Sequence, residues 1–273
     1  MYGTNYDKNR GLDNQDFPVW VAEKIKKTFY NFSDPLFSNE RIIISNKGGL
    51  EERYKGKDIF IFGGGGSSLR FLDSLEYGKI WALSDKDRSL WTLNNFYKNE
   101  RFRKVKFDLV SLGPEVDLQD TILIDYLNRK MPDVGIELHQ KWSRESVDSP
   151  IVQQVNDFYP VGIQEKFCFQ TKYFSFLGSG ARLVLLASEL GARSVTFIGF
   201  DGPDAIWKAD HAFEEGKNFM TYRMQGFSQQ VAREMFQSEY DWFWEYCNKT
   251  YQTLYFSADN QNNYHQDLRR LYG

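Results

Sequence analysis

Apolar and polar positions along the chain change rhythm several times, and each change predicts an element. Residues 1–16 are polar. From Phe17 to Phe32 ("FPVWVAEKIKKTFYNF") apolar residues recur at helical spacing, with Val19, Val21, Ile25, Phe29 and Phe32 forming a stripe. A short apolar run, "RIIIS", and a charged approach, "EERYKGK", follow, so residues 1–57 read as an N-terminal helical extension packed on a main body of residues 58–273. From Asp58 the alternation becomes regular. "DIFIFG" predicts a buried strand and "SSLRFLDSL" a helix start; "KIWALSD" (79–85) predicts a second strand, and "RSLWTLNNFYKN" a helix. "KVKFDLV" (104–110) predicts a third strand, "TILIDYLNRK" a strand or a helix, and "VGIEL" (134–138) a short strand.

Further along, "GSGARLVLLASELGARSVTFIGFD" (178–201) predicts loop, helix and strand, with Gly191 placed to end the helix in a left-handed cap. A long aromatic helix, "SQQVAREMFQSEYDWFWEYCNKTY", a strand-like "TLYFS" and a polar tail complete the chain. Repeated strand–helix alternation implies an α/β fold, Rossmann-like, with a mainly parallel sheet flanked by helices. In such sheets ligands bind beyond the carboxyl ends of the strands.

Composition narrows the classes. The 273 residues are 41% hydrophobic and 17% aromatic, enough for a well-packed globule. A net charge of −3, from 34 basic and 37 acidic residues, leaves no basic field for a nucleic-acid duplex. Cys168 and Cys247 match no metal or redox spacing and read as reduced, buried thiols. There is no apolar signal core in "MYGTNYDKNRGLDNQDF" and no run of about 18 apolar residues, so the reading is a soluble, cytoplasmic protein without a membrane span.

Four consecutive glycines end the first strand, in "DIFIFGGGGSSLRFLDSL". Glycine has the most backbone freedom to lose on folding. A strand–glycine–helix junction lets an anion reach the free N–H groups of the helix end, aided by its dipole. Gly64, Gly65 and Gly66 are therefore candidates to hold a phosphate, with Ser67 and Ser68 adding hydroxyl donors or a cap. The alternative is a flexible strand–helix connection. Gly65→Val is expected to weaken nucleotide binding far more than folding. "LGSGARL" repeats the arrangement, making Ser179 and Gly180 a second candidate anion site, or Ser179 a plain cap. Asp201 ends the strand "VTFIGFD", and His211 follows in a polar loop; together they could bind a ribose, hold Mg²⁺ or act as acid and base, the alternative being a helix-capping Asp and a surface His. Ser84 and Asp85, at the end of the strand expected over 79–85, are candidates for a ribose or base, or turn formers. His139 and His265 read as surface residues. The aromatic helix, with Tyr240, Trp242, Phe243, Trp244, Tyr246 and Tyr251, reads as core or as a subunit interface, the latter compatible with a homo-oligomer; the alternative is a platform for stacking a sugar or base.

"YKGKDIFIFGGGGSSLRFLDS" resembles the opening of the motility-associated-factor (Maf) glycosyltransferases and the related MptE-like hydroxymethylpterin pyrophosphokinases. "LGSGARLVLLASELGARSVTFIGFD", followed by "DHAF", resembles their second block. That block, with "WFWEYCNKTYQTLYFSADNQN", is also similar to the small bacterial sialyltransferases that use a CMP-linked sugar. The resemblance covers about residues 55–85 and 170–265. Ser67 stands where the family usually has proline, and Ser84 or Asp85 where the sialyltransferases have asparagine. It implies that Gly64 to Ser68 hold nucleotide phosphates with Ser179 and Gly180 opposite, that Asp201 lies at the nucleotide or at Mg²⁺, and that His211 lies at the reacting centre. The implied activity is a nucleotide-dependent transferase moving a sugar from a nucleotide-sugar donor to a small-molecule or glycan acceptor. Its alternatives are a Mg-dependent pyrophosphokinase acting on a small alcohol, and a nucleotide-binding protein without catalysis. If His211 transfers a proton, His211→Ala is expected to cut turnover ~10²–10⁴-fold.

Overall fold

The computed structural model describes residues 42–44, 47–84, 86–113, 116–137, 158, 160, 162–171, 177–202, 208, 210–217, 228–258 and 265–267. The helix expected over 17–32 lies outside these residues, as do Asp85 and His139. In chain order the elements are β1 (Ile42–Ile44), α1 (Lys47–Tyr54), β2 (Asp58–Phe62), α2 (Ser67–Leu72), α3 (Leu75–Ala82), β3 (Arg88–Leu93) and a 3-10 helix over Asn94–Lys98. Then come α4 (Glu100–Lys104), β4 (Leu109–Leu112), α5 (Thr121–Lys130), β5 (Asp133–Glu137), β6 (Glu165–Thr171) and α6 (Gly178–Glu189). The last are β7 (Ser194–Ile198), α7 (Gln229–Thr250), β8 (Leu254–Ser257) and β9 (Gln266–Asp267).

The strands form one sheet in the order β1-β6-β5-β4-β3-β2-β7-β8-β9. Every neighbouring pair is parallel except β1 with β6. This is the α/β, Rossmann-like arrangement the alternation implied. Both faces of the sheet are covered, which is why its central strands read as continuous apolar runs. On β2, Ile59 and Ile61 pack with α1, α6 and α7, while Phe60 and Phe62 pack with α2, α3, α4 and α5. Within residues 1–57, β1 is an edge strand and α1 buries Leu50 and Tyr54 in the first of these layers.

Two expectations exchange places. "KIWALSD" is not a strand: residues 75–82 form α3, started by Ser74, whose hydroxyl accepts from the Tyr77 N–H at 3.2 Å. Only Ile80 of that helix is buried, and Trp81 is half exposed. The second strand is "RSLWTL", expected as helix, and it is buried throughout. Its polar residues broke the apolar run but are satisfied in place. Arg88 Nε donates to the Leu83 carbonyl at 3.0 Å, and Ser89 Oγ donates to Asp108 Oδ2 at 3.1 Å. The third strand begins five residues later than expected, at Leu109, and "TILIDYLNRK" is the helix α5. Gly191 follows α6 at φ +77°, with Ala192 N–H bonded to the Ala187 carbonyl, the left-handed cap foreseen for it. Cys168 and Cys247 form no disulfide and lie in layers on opposite faces of the sheet, Cys247 buried and Cys168 only partly so. No helix among the described residues is long and apolar enough to cross a membrane.

Candidate functional site

The chain runs outward from β2 through β3, β4, β5 and β6, then returns to place β7 on the other side of β2. Connections therefore diverge from the carboxyl ends of β2 and β7, the switch point where open α/β sheets bind ligands. The two strands end in register, with Phe62 beside Ile198. A cavity of about 230 Å³ opens there. Its walls come from the turns after β2 (Gly63–Gly65), β3 (Asn94, Asn95) and β7 (Gly199–Gly202), from the first turn of α6, from α7, and from the segment around His211.

The four glycines have a structural cause that differs from the expectation. Gly65 N–H bonds the Gly199 carbonyl at 2.9 Å, and Ala212 N–H bonds the Gly64 carbonyl at 2.7 Å. A Cβ on Gly64 would overlap the His211 ring, one on Gly66 would overlap Asp210, and one on Gly65 would lie 2.6 Å from both Asp201 Cγ and the Gly199 carbonyl oxygen. The backbone is bare because two protein segments, Gly199–Asp201 and Asp210–Ala212, press on it. At the start of α2 the expected anion is a protein group: Asp201 accepts from the Ser67 N–H at 3.3 Å and from the Ser67 hydroxyl. Ser68 donates within the turn, to the carbonyls of Gly63 and Gly65 at 3.0 and 2.7 Å. Gly64 and Gly65 line the cavity; Gly66, Ser67 and Ser68 build the turn instead.

The start of α6 meets the cavity differently. Gly178, Ser179 and Gly180 all line it, and no side chain among the described residues caps this helix of 12 residues. First-turn N–H groups lack an intrahelical partner, and the helix dipole adds positive potential there. Gly178 turns in at φ +75°, and a Cβ on Gly180 would lie 2.6 Å from the Phe200 ring. Ser179 is not a cap: it sits inside the first turn, and its hydroxyl accepts from Arg182 Nη2 at 3.0 Å. Arg182 in turn pairs with Glu137 at the end of β5, with the two side chains 4% and 2% exposed. Because the arginine occupies a lone pair of Ser179, the O–H is left to donate elsewhere.

His211 is held from several sides. Asn99 Nδ2 donates to the Ala212 carbonyl at 2.8 Å, and Phe213 meets Phe102 edge-on at 5.0 Å. The ring's Nδ1 accepts from the N–H groups of Phe213 and Glu214, at 3.3 and 3.1 Å. An accepting Nδ1 places the proton of the neutral imidazole on Nε2, the atom nearest Gly64. Burial, and then the Lys217 ammonium, push the His211 pKa down to about 4 against the pull of Glu214 and Asp210. At neutral pH His211 is thus an uncharged ring at the cavity wall, with Nδ1 accepting and Nε2 carrying the proton. Burial works to raise the Glu214 pKa, but Lys217, Asn95 and Lys98 hold it below the usual carboxylate range.

Ser84 is not brought to the site. It is exposed in the turn leading into β3, accepts from Lys86 N–H at 3.2 Å, and lies at the amino edge, where Asp58 N–H bonds the Asp87 carbonyl. His265 is no surface residue either: its ring packs 4.4 Å from Trp244 and 4.7 Å from Phe197. Sequence reasoning passed over Asn94, Asn95, Glu137 and Arg182, and met Trp244 only as one ring of the aromatic helix. A signal existed for two of them, a lone arginine in the apolar run "ARLVLLA" and a glutamate closing a buried strand. For Mg²⁺ the fit is poor, since both Asp201 oxygens serve Ser67 and no group of three or more metal-ligating side chains converges among the described residues. Comparison with models of known protein families and with curated proteins finds no match for this chain.

Proposed function

We propose that the cavity binds a nucleotide and that the chain is a nucleotide-dependent transferase, moving a sugar from a nucleotide-sugar donor to a small-molecule or glycan acceptor. One observation carries this reading: the uncapped first turn of α6 and the neutral His211 face the same cavity at the β2–β7 switch point. The resemblance of the glycine-rich and Leu-Gly-Ser-Gly blocks to nucleotide-using transferases points the same way.

In this reading the N–H groups of Gly178, Ser179 and Gly180 receive the nucleotide phosphates. As the acceptor hydroxyl oxygen bonds the sugar's anomeric carbon and gives its proton to solvent, the bond from sugar to phosphate breaks and negative charge grows on the departing phosphate oxygen. A fixed N–H directed at that oxygen stabilises the transition state more than the ground state. His211 Nε2–H supplies such a donor without changing its protonation, and Ser179 O–H, turned by Arg182, supplies a second. Asp201 acts through Ser67, holding the turn that carries Gly64 against His211.

The test is thermal denaturation with CMP, CDP, UDP, GDP, ADP and ATP, each with and without Mg²⁺. A ligand at ~100 times its Kd adds ~2.7 kcal/mol of stability. One nucleotide should stabilise the protein without Mg²⁺, and the matching nucleotide-sugar should then be turned over. Stabilisation only with Mg²⁺ would favour diphosphate transfer and require Asp201 to leave Ser67. Binding without turnover would favour a non-catalytic nucleotide-binding protein, and no response would remove the nucleotide reading.

A further inference from the structure

The cavity has two chemically unlike ends. At one, α6 offers small residues and unspent N–H groups. At the other, α7 contributes Phe236, Tyr240, Phe243 and Trp244. Trp244 is 1% exposed, and its buried indole Nε1–H has no hydrogen-bond partner among the described residues. A buried donor left unpaired is destabilising, and tryptophan N–H groups usually find an acceptor.

The indole is not free to turn toward one. It stacks on Phe197 at 4.3 Å and meets His265 and Phe243 edge-on at 4.4 and 4.9 Å. A chain of rings links the two ends. Phe200 lies against Gly180, meets Phe197 at 5.5 Å, and Phe197 stacks on Trp244. A ligand filling the cavity would therefore carry an anion at one end and a flat, apolar-faced group with an acceptor at the other.

We infer that the aromatic end takes the nucleobase, with Trp244 Nε1–H donating to a ring carbonyl or ring nitrogen. This deepens the nucleotide reading and rests on it. A base supplies the flat face that aromatic side chains bind and an in-plane acceptor for the fixed indole N–H, and a ribose holds it apart from the phosphate. Trp244 then acts as a specificity-determining residue: a phosphorylated sugar without a base would leave its donor unpaired.

The experiment is calorimetric titration of the full chain with CMP, UMP, AMP, GMP and ribose 5-phosphate, repeated on Trp244→Phe. For the parent, the best nucleotide should bind at least ~10-fold tighter than ribose 5-phosphate. Trp244→Phe keeps an aromatic ring and removes the donor, so it should weaken that nucleotide roughly 5- to 10-fold and leave ribose 5-phosphate unchanged. Equal affinity of the parent for the base-bearing and base-free phosphates overturns the inference while leaving a phosphate site standing. So does a Trp244→Phe variant that loses nothing, or that loses both ligands alike. A parent chain that binds none of the five refutes the nucleotide reading itself.

Discussion

Replacing His211 with Asn isolates the cost of protonating that ring. The Asn oxygen lies close to where Nδ1 lies and can accept from the same two N–H groups, as asparagine does in turns. The fold is therefore kept while the titrating group is lost. In the folded protein the ring titrates at about 4, whereas an unfolded histidine titrates near 6.5. A folded pKa below the unfolded one means that the unfolded chain takes up the proton first. The contribution of His211 to stability is complete above pH 6.5 and is lost as the pH falls toward 4. Integrating the linkage between pH 7 and pH 4.5 gives a loss of about 2.5 kcal/mol from this residue alone. Carboxylates also titrate over that range, but both proteins contain them, so the difference between parent and variant isolates the imidazole. Urea denaturation at the two pH values measures it. The variant should stay within about 1 kcal/mol of the parent at pH 7 and overtake it at pH 4.5. Losses that agree within about 0.5 kcal/mol would show that His211 is solvated, and the neutral-donor assignment would fail.

Other consequences can be measured directly. Gly65→Val should lower stability by about 2 kcal/mol or more, because its side chain would meet Asp201 and the Gly199 carbonyl at 2.6 Å; a stable variant that no longer binds nucleotide would restore the phosphate role of this turn. Arg182→Met leaves Glu137 buried and unpaired, and should cost about 3–5 kcal/mol in chemical denaturation, with much of the loss recovered when Glu137→Leu is added. His211→Ala should reduce turnover ~10²–10³-fold, the effect of one lost hydrogen-bond donor to a developing oxyanion. The parent's kcat should also be flat between pH 6 and 8; a rise or fall centred near pH 6.5 would return a proton-transfer role to His211.

The sheet was legible where burial is two-sided and uninterrupted. "DIFIF" and "SVTFI" are apolar on both faces because helices cover both, and the run itself marks the strand. "RSLWTL" hid because Arg88, Ser89 and Thr92 are buried polar residues, Arg88 satisfied by the turn just before the strand at Leu83, and Ser89 and Thr92 by Asp108 and Phe62, 19 and 30 residues away. A local pattern cannot announce a distant partner. The same limit governs the site. That something must approach the four glycines closely could be read from composition. That Asp201, Asp210 and His211 make that approach depends on β7 arriving beside β2. Ser84 and Asp85 fall at an expected strand end because the strand predicted over 79–85 lies instead at Arg88–Leu93. The Ser179 hydroxyl looked like a cap, and its actual partner, Arg182, lies one turn further along the same helix.

The pairing of β2 with β7 also sets a schedule for synthesis. Strands β2 to β6 can assemble in order as they emerge, but the other edge of β2 stays open until β7 is made. Asp58, buried in the finished protein, meets the Ser194 hydroxyl only across 136 residues of chain. At ~5–20 residues per second a ribosome needs roughly 7–27 s to cover that distance. Throughout that interval the apolar strand "DIFIF", with one row of N–H and C=O groups unpaired, is available to any neighbouring strand. The nascent chain is therefore most exposed to misassociation between the completion of β6 and that of β7. Ribosome-bound chains ending near residue 175 should recruit chaperones more strongly than chains extended past residue 235, in which β7 has cleared the exit tunnel and closed the edge.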